Sequence, residues 1–269
     1  MVKGVVLALV LIGFSVAGAP AQVPVGAPWD TSTLSQAGFA GLVEALHTLE
    51  GLVNDPTMGP QKTFGEAGWT SLSFAHYAGG ALSSAGYQVL IATGGEWPGA
   101  DHSWVLVLLE TPTVSAWVPV EATPQAGQAQ LSLGHVAVAA ISEAMVAFDG
   151  RYAAYARAEE LPSNVAPTAG LRVSTLHMMV DTPFSMFSFL SNDPDGEIVL
   201  YRWRIGSGPW FATTSPSASG TPVELGSYSI TLQVVDNLGA SSVASVNIKV
   251  SEKEPDSRPL IEAGCGCGG

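Results

Sequence analysis

Between residues 166 and 251 the chain offers only short apolar runs, each cut off by turn-forming residues, and this bounds the fold more tightly than any other feature. The runs fall at Leu171–Val173, Phe184–Leu190, Ile198–Trp203, Tyr228–Val235 and Val243–Val250, with Gly, Pro, Asn and Asp clusters between them. Tyr228, Ile230, Leu232 and Val234 alternate with Ser229, Thr231 and Gln233, the period of two that marks a strand with one buried face. The segment is predicted to be all β.

Upstream the pattern is mixed. Phe39, Leu42, Val43, Leu46, Leu49 and Val53 fall at helical spacing behind the N-cap candidates Thr31, Ser32 and Thr33, and Asn54-Asp55-Pro56 stops that helix. A second helix is expected from about Ser71 to Ala85, with Phe74, Ala75, Ala78, Ala81 and Leu82 on one face. Strands are expected over Tyr87–Ala92, Trp104–Leu109 and Ala116–Val120; the second is apolar throughout, as in a strand covered on both faces. Val136 to Tyr155 is hydrophobic, its first part open to a strand reading and Ile141 to Ala158 reading as helix. The sum is an α+β domain over 31–160, a linker at 161–165 and an all-β domain over 166–252.

The first 21 residues have the order of a cleaved secretory signal: Lys3, then apolar residues from Val5 to Phe14, then Ala19-Pro20-Ala21. The uncharged run from Gly4 to Ala19 is 16 residues, short of the roughly 20 that span a bilayer. Residues 22–30 are Pro- and Gly-rich and read as a linker. These features point to a secreted, periplasmic or cell-surface protein with no transmembrane span once the signal is removed. Both cysteines, Cys265 and Cys267, lie in a flexible tail over 253–269, so the cores must hold by packing. Two thiols also fall short of the four ligands of a closed zinc site, and His76 and His135 follow no ligand pattern, so no metal or other cofactor is expected. Acidic side chains outnumber basic ones 23 to 10, for a net charge of −13. That balance excludes nucleic acid as a partner, because phosphate binding needs a basic face.

Asn164-Val-Ala-Pro167, Ser191-Asn-Asp-Pro-Asp-Gly196, Tyr201-Arg-Trp203, and Gly226-Ser-Tyr228 through Asp236-Asn-Leu-Gly239 occur in an order that strongly resembles the PKD domain, over about Ala166 to Ser251. The resemblance implies an extracellular, immunoglobulin-like β-sandwich that spaces or adheres and does no chemistry. Trp203 is expected between the two sheets. Arg204 and Ser207 stand where the family usually has Asp, which argues against Ca²⁺ at the Gly206–Gly208 loop.

Gly68 to Pro124 resembles the transglutaminase-like fold, a papain-related scaffold with a cysteine nucleophile. Ala75, Leu82 and Ala85-Gly86-Tyr87 match its helix, His102-Ser-Trp104-Val105 its next strand, and Trp117-Val-Pro-Val120-Glu121-Ala-Thr123-Pro124 the third. The resemblance implies a thiolate at a helix start, His102 as base and Glu121, in place of the usual Asp, orienting it. It also implies that the nucleophile's helix abuts the strand carrying His102. Counting back from Ala75 and Gly86 puts the nucleophile at Ser71; counting from Gly68 puts it at Thr70. Neither is cysteine. A hydroxyl needs a well-formed base and oxyanion hole that a thiolate scaffold need not supply. The chain is therefore read as leaning away from catalysis: a transglutaminase-like domain that binds an extracellular protein or glycan, displayed with a PKD domain. An exported hydrolase or acyltransferase with a Ser71–His102–Glu121 triad is the alternative. Trp104 and Trp117 are read as core.

Overall fold

This computed structural model describes residues 36–94, 102–112, 115–136, 138–142, 145–148, 152 and 157–252. The signal peptide, the 22–30 linker, the cap candidates Thr31–Thr33 and the tail with Cys265 and Cys267 lie outside the described residues. No helix among the described residues is long and apolar enough to cross a membrane.

The N-terminal half opens with two helices, α1 (Gln36–Val53) and α2 (Ser71–Ser84). Seven strands follow: β1 (Gln88–Gly94), β2 (His102–Glu110), β3 (Ser115–Glu121), β4 (His135–Val136), β5 (Val138–Ser142), β6 (Met145–Phe148) and β7 (Arg157–Glu159). Five of them form an antiparallel sheet in the order β4-β3-β2-β1-β7, and β5 pairs with β6 as a separate hairpin. Alternation along the strands assigns each side chain to a face. Ile91, Val105, Val107, Leu109, Val118 and Val120 join Leu42, Leu46, Leu49, Phe74, Ala78 and Leu82 of the helices in one buried cluster. Ala92, Trp104 and Leu106 point the other way and pack with Tyr152. This covering on both faces is why β2 carries an unbroken apolar run.

The helix expected over Ile141–Ala158 is corrected at its two ends, while Tyr152 between them is helical. Met145–Phe148 is a strand paired with β5, and Arg157–Glu159 is the edge strand against β1. Ala-rich stretches of this kind satisfy a helical and an extended pattern alike, and the partner strand decides between them.

The C-terminal half is a two-sheet sandwich. Its strands are β8 (Arg172–Val173), β9 (His177–Met179), β10 (Phe184–Phe187), β11 (Ile198–Ile205), β12 (Phe211–Thr213), β13 (Ser217–Gly220), β14 (Gly226–Asp236) and β15 (Ser241–Ser251). One sheet runs β13-β10-β8; the other runs β12-β11-β14-β15-β9, with β9 parallel to β15. Trp203 is 0% exposed between them, packed with Phe184, Met186, Ile230, Leu232 and Val234, and its indole N–H donates to Thr213 Oγ1 at 3.0 Å. The short strands β9, β12 and β13 carry too little pattern to be read from the sequence.

The two halves are not insulated by the 161–165 segment. Val199, Leu200 and Val235 of the sandwich lie in the same buried cluster as α1 and α2, and Leu161 packs against it. Gly79 and Gly80 sit inside α2, where each costs roughly 1 kcal/mol of helix propensity against Ala. A Cβ on Gly80 would fall on the carbonyl oxygen of Leu238, and one on Gly239, whose φ is +82°, would fall on that of Tyr77. Helix backbone thus meets turn backbone with no room for a methyl group. Beside this contact the buried Arg202 of β11 reaches across. Its guanidinium donates to Asp55 Oδ2 at 3.1 Å and Thr57 Oγ1 at 2.7 Å, and within the sandwich to Gln233 Oε1 at 2.7 Å.

Gly80→Ala reads the docking by its sign. On a free helix face it would stabilise by roughly 1 kcal/mol; against the Leu238 carbonyl it is expected to destabilise by about 1–3 kcal/mol, seen as a lower unfolding midpoint. A higher midpoint would show that α2 carries no docked sandwich there. Trp203→Ala is expected to cost about 3–5 kcal/mol and to lower the midpoint followed by probes in both halves, because the strands that carry its core also bury Val199, Leu200 and Val235 against the helices.

Candidate functional site

His102 is the first residue of β2 and Glu121 the last of β3. Val120 pairs with Val105, so Glu121 falls opposite Trp104 and shares its face with His102, two residues back along β2. His102 Nε2 lies 2.6 Å from Glu121 Oε2, both side chains largely buried. Two more donors complete the carboxylate. The Thr123 N–H donates to Oε1 at 2.7 Å, and the Tyr152 hydroxyl to Oε2 at 3.1 Å. Below the pair, the Trp104 ring stacks on His102 with centroids 6.1 Å apart and meets Tyr152 edge-on at 5.5 Å.

Burial alone would push the Glu121 carboxyl up. The hydrogen bond and charge of His102, with the Thr123 contacts, outweigh it and hold the group below its ordinary value. The pair is therefore a charge-assisted hydrogen bond that fixes the imidazole by one nitrogen.

Ser71 opens α2, as the spacing implied, and is 7% exposed. α2 runs back along β1, which brings Ser71 to the end of the sheet where Gly94 pairs with His102. The helix covers the face of Val105 and Val120, while His102 and Glu121 leave the sheet on the face of Trp104. Among the described residues no hydrogen bond links Ser71 to His102 or Glu121. The family pattern fixed the strands and the helix start, but not the parity of the strand residues relative to the helix, and parity decides which face a side chain takes. Thr70 is the exposed N-cap of α2, and its backbone N–H donates to Ser73 Oγ at 3.2 Å. Tyr152 was missed because it lies in the stretch read as helix. Trp104 and Trp117 pack with the core, as read.

Residues 171–250 match the family model of the PKD domain. They are a PKD domain. Over 100 residues the chain is 35% identical to the pre-pro-metalloprotease PrtV of Vibrio cholerae, a stretch covering 37% of this chain but 10% of that protein. The chain thus spans about a tenth of the relative's length. Among solved structures, the PKD1 domain of the Vibrio cholerae metalloprotease PrtV is 31% identical, covers 32% of this chain and 99% of its own, and has a TM-score of 0.28. The PKD1 domain of Vibrio anguillarum Epp is 28% identical, covering 34% and 100%, with a TM-score of 0.29. A structure described as carbohydrate-binding modules from the β-sandwich superfamily is 33% identical, covering 36% and 38%, with a TM-score of 0.34.

The Glu121 site makes stability depend on acid. A carboxyl whose folded pKa is depressed contributes fully above its unfolded pKa, ordinarily 4.5, and loses that contribution as pH falls through the lower folded value. Midpoints measured from pH 7 downward should fall more steeply below about pH 4.5 in the wild type than in Glu121→Gln. Parallel profiles would mean that the carboxylate gains nothing from His102.

Proposed function

We propose that this chain is an exported or cell-surface protein whose N-terminal half binds a ligand without catalysis and whose PKD domain holds and presents it. The observation that carries this reading is the placement of the His102–Glu121 pair on the face of the sheet away from Ser71. A base must lie within about 2.6–3.2 Å of the proton it takes, directly or through one water. A helix on one face of the sheet and a base on the other do not favour that approach, and no hydrogen bond among the described residues joins Ser71 to His102. Export is supported by the signal-like first 21 residues and by the PKD likeness to the precursor PrtV.

The likeness of the N-terminal half to the transglutaminase-like fold is supported by a helix opening at Ser71 and by His102 and Glu121 on neighbouring strands. The face taken by His102 departs from what that likeness implies. The runner-up, a hydrolase or acyltransferase using Ser71, His102 and Glu121, is favoured by the 2.6 Å bond, since a buried carboxylate orienting an imidazole is the geometry of a working base. The docked sandwich also refines the spacer role: with Arg202, Gly80 and Gly239 fixing it to the N-terminal half, it is a rigid extension rather than a swinging arm.

Labelling with a fluorophosphonate, which modifies activated serines, separates the readings. The purified protein is expected to stay unlabelled. Labelling that disappears in both Ser71→Ala and His102→Ala, with each variant still folded, would establish the triad instead.

A further inference from the structure

We propose that the outward face of the sandwich's five-stranded sheet, at the end away from the N-terminal half, binds a uronic-acid-containing oligosaccharide. The proposal rests on the reading of an exported binding protein only in expecting such a glycan outside the cell.

The registers define this face. Thr231 lies opposite Arg204 on one side and Ser245 on the other; Ser229 lies opposite Asn247, Ser227 opposite Lys249, and Lys249 opposite His177. Odd-numbered positions of β14 point outward, because Ile230, Leu232 and Val234 fill the core. Toward the Val235 end, this same face is buried against the helices. Toward the Ser227 end it is open, and a groove of about 520 Å³ runs there between His177, Ser229, Asn247 and Lys249.

The chemistry of the open end is selective. Every outward position from Arg204 to His177 is a cation, a hydroxyl, an amide or an imidazole, and none is a carboxylate, in a chain with 23 acidic and 10 basic side chains. The Arg204 guanidinium carbon lies over Trp210, 4.6 Å from the ring centroid, with that of Arg202 at 4.9 Å, and Arg204 Nε is buried without a hydrogen-bond partner among the described residues. The ring holds the guanidinium in place; its buried Nε is closed to a surface ligand, and the half-exposed remainder of the group is what an anion would meet. Arg202, the next outward residue on β11, is already committed to Asp55.

Spacing favours a chain over a single ion. Arg204 and Lys249 are separated by two strand spacings and four residues of rise, roughly 15 Å. One small anion cannot touch both. Between them the exposed Ser227 and Asn247 and the half-buried Ser229 suit sugar hydroxyls, while Thr231 is buried and accepts from Ser245 Oγ. Sparse cations among many neutral hydrogen-bonding groups match a glycan with carboxylates at intervals. A densely sulfated chain would meet few cations here and a net charge of −13 elsewhere.

The test is titration calorimetry on the full chain with three oligomers of equal length: oligogalacturonate, its neutral methyl ester and a sulfated glucan. Oligogalacturonate alone is expected to bind, more weakly as salt rises. Arg204→Gln should weaken binding by about tenfold, and the exposed Lys249→Gln by severalfold, with unfolding midpoints near wild type. Should Arg204→Gln fail to fold, Lys249→Gln carries the test. Binding of the neutral ester as tightly as the acid, preference for the sulfated oligomer, absence of binding, or indifference to Lys249→Gln in the folded protein would each overturn the proposal. None of those outcomes touches the labelling of Ser71, which tests the wider reading separately.

Discussion

The structure depends on one backbone contact, the seat of the Asp236–Gly239 turn on α2 at Gly80. Asp236, 0% exposed, shapes that turn by accepting the N–H groups of Leu238 and Ala240 at 2.9 Å each on Oδ1, while the Asn164 amide donates to Oδ2 at 2.9 Å. A buried carboxylate satisfied in this way keeps the Leu238 carbonyl and Gly239 aimed at the helix. Gly80 then gives up helix propensity so that the two backbones can close, while Gly79 makes room for the side chains of Ile91 and Leu161, and Leu200 and Val235 are buried beside them. The tie from Asn164 to Asp236 shows why a segment with the composition of a linker does not behave as one.

How much of this was legible in the chain follows from the range of each signal. The sandwich strands Ile198–Ile205 and Gly226–Asp236 were visible because alternation is local and Trp203 had one place to go. The second buried face of β14, with Val235 hidden, was not visible, because it depends on a helix some 150 residues upstream. Gly79-Gly80 reads locally as a weakness in a helix; only the facing turn, at Gly80, and the side chains of Ile91 and Leu161, at Gly79, give it a purpose. The two ends of 141–158 failed for the opposite reason: the local pattern was strong but ambiguous, and the pairing of Val138–Ser142 with Met145–Phe148 and of Arg157–Glu159 with β1 resolved it, leaving Tyr152 helical.

The candidate site divides along the same line. His102 and Glu121 were legible as a pair through the family resemblance, and on the sheet they are diagonal neighbours on one face, Glu121 lying opposite Trp104. Ser71 was legible as a helix start. What the pattern could not supply was the relation between the helix and the strand faces, a property of packing rather than of spacing. Tyr152 illustrates the cost, since a hydroxyl 31 residues beyond Glu121 completes the carboxylate with no motif to announce it.

Docking also determines what the sandwich has left to offer. The covered end of its large sheet takes up Leu200, Val235 and Arg202, and the uncovered end keeps Arg204, Lys249 and His177. The net charge of −13 does not cancel this local excess of donors, because at physiological salt a charge is screened within about 8 Å, less than the separation of Arg204 and Lys249. A short acidic glycan lying along β14 and β15 would therefore meet the side chains of the face and little of the field of the whole chain. A longer polyanion extending past the sheet edges would meet the acidic remainder, so the charge that repels nucleic acid also sets an upper length on what this face can hold.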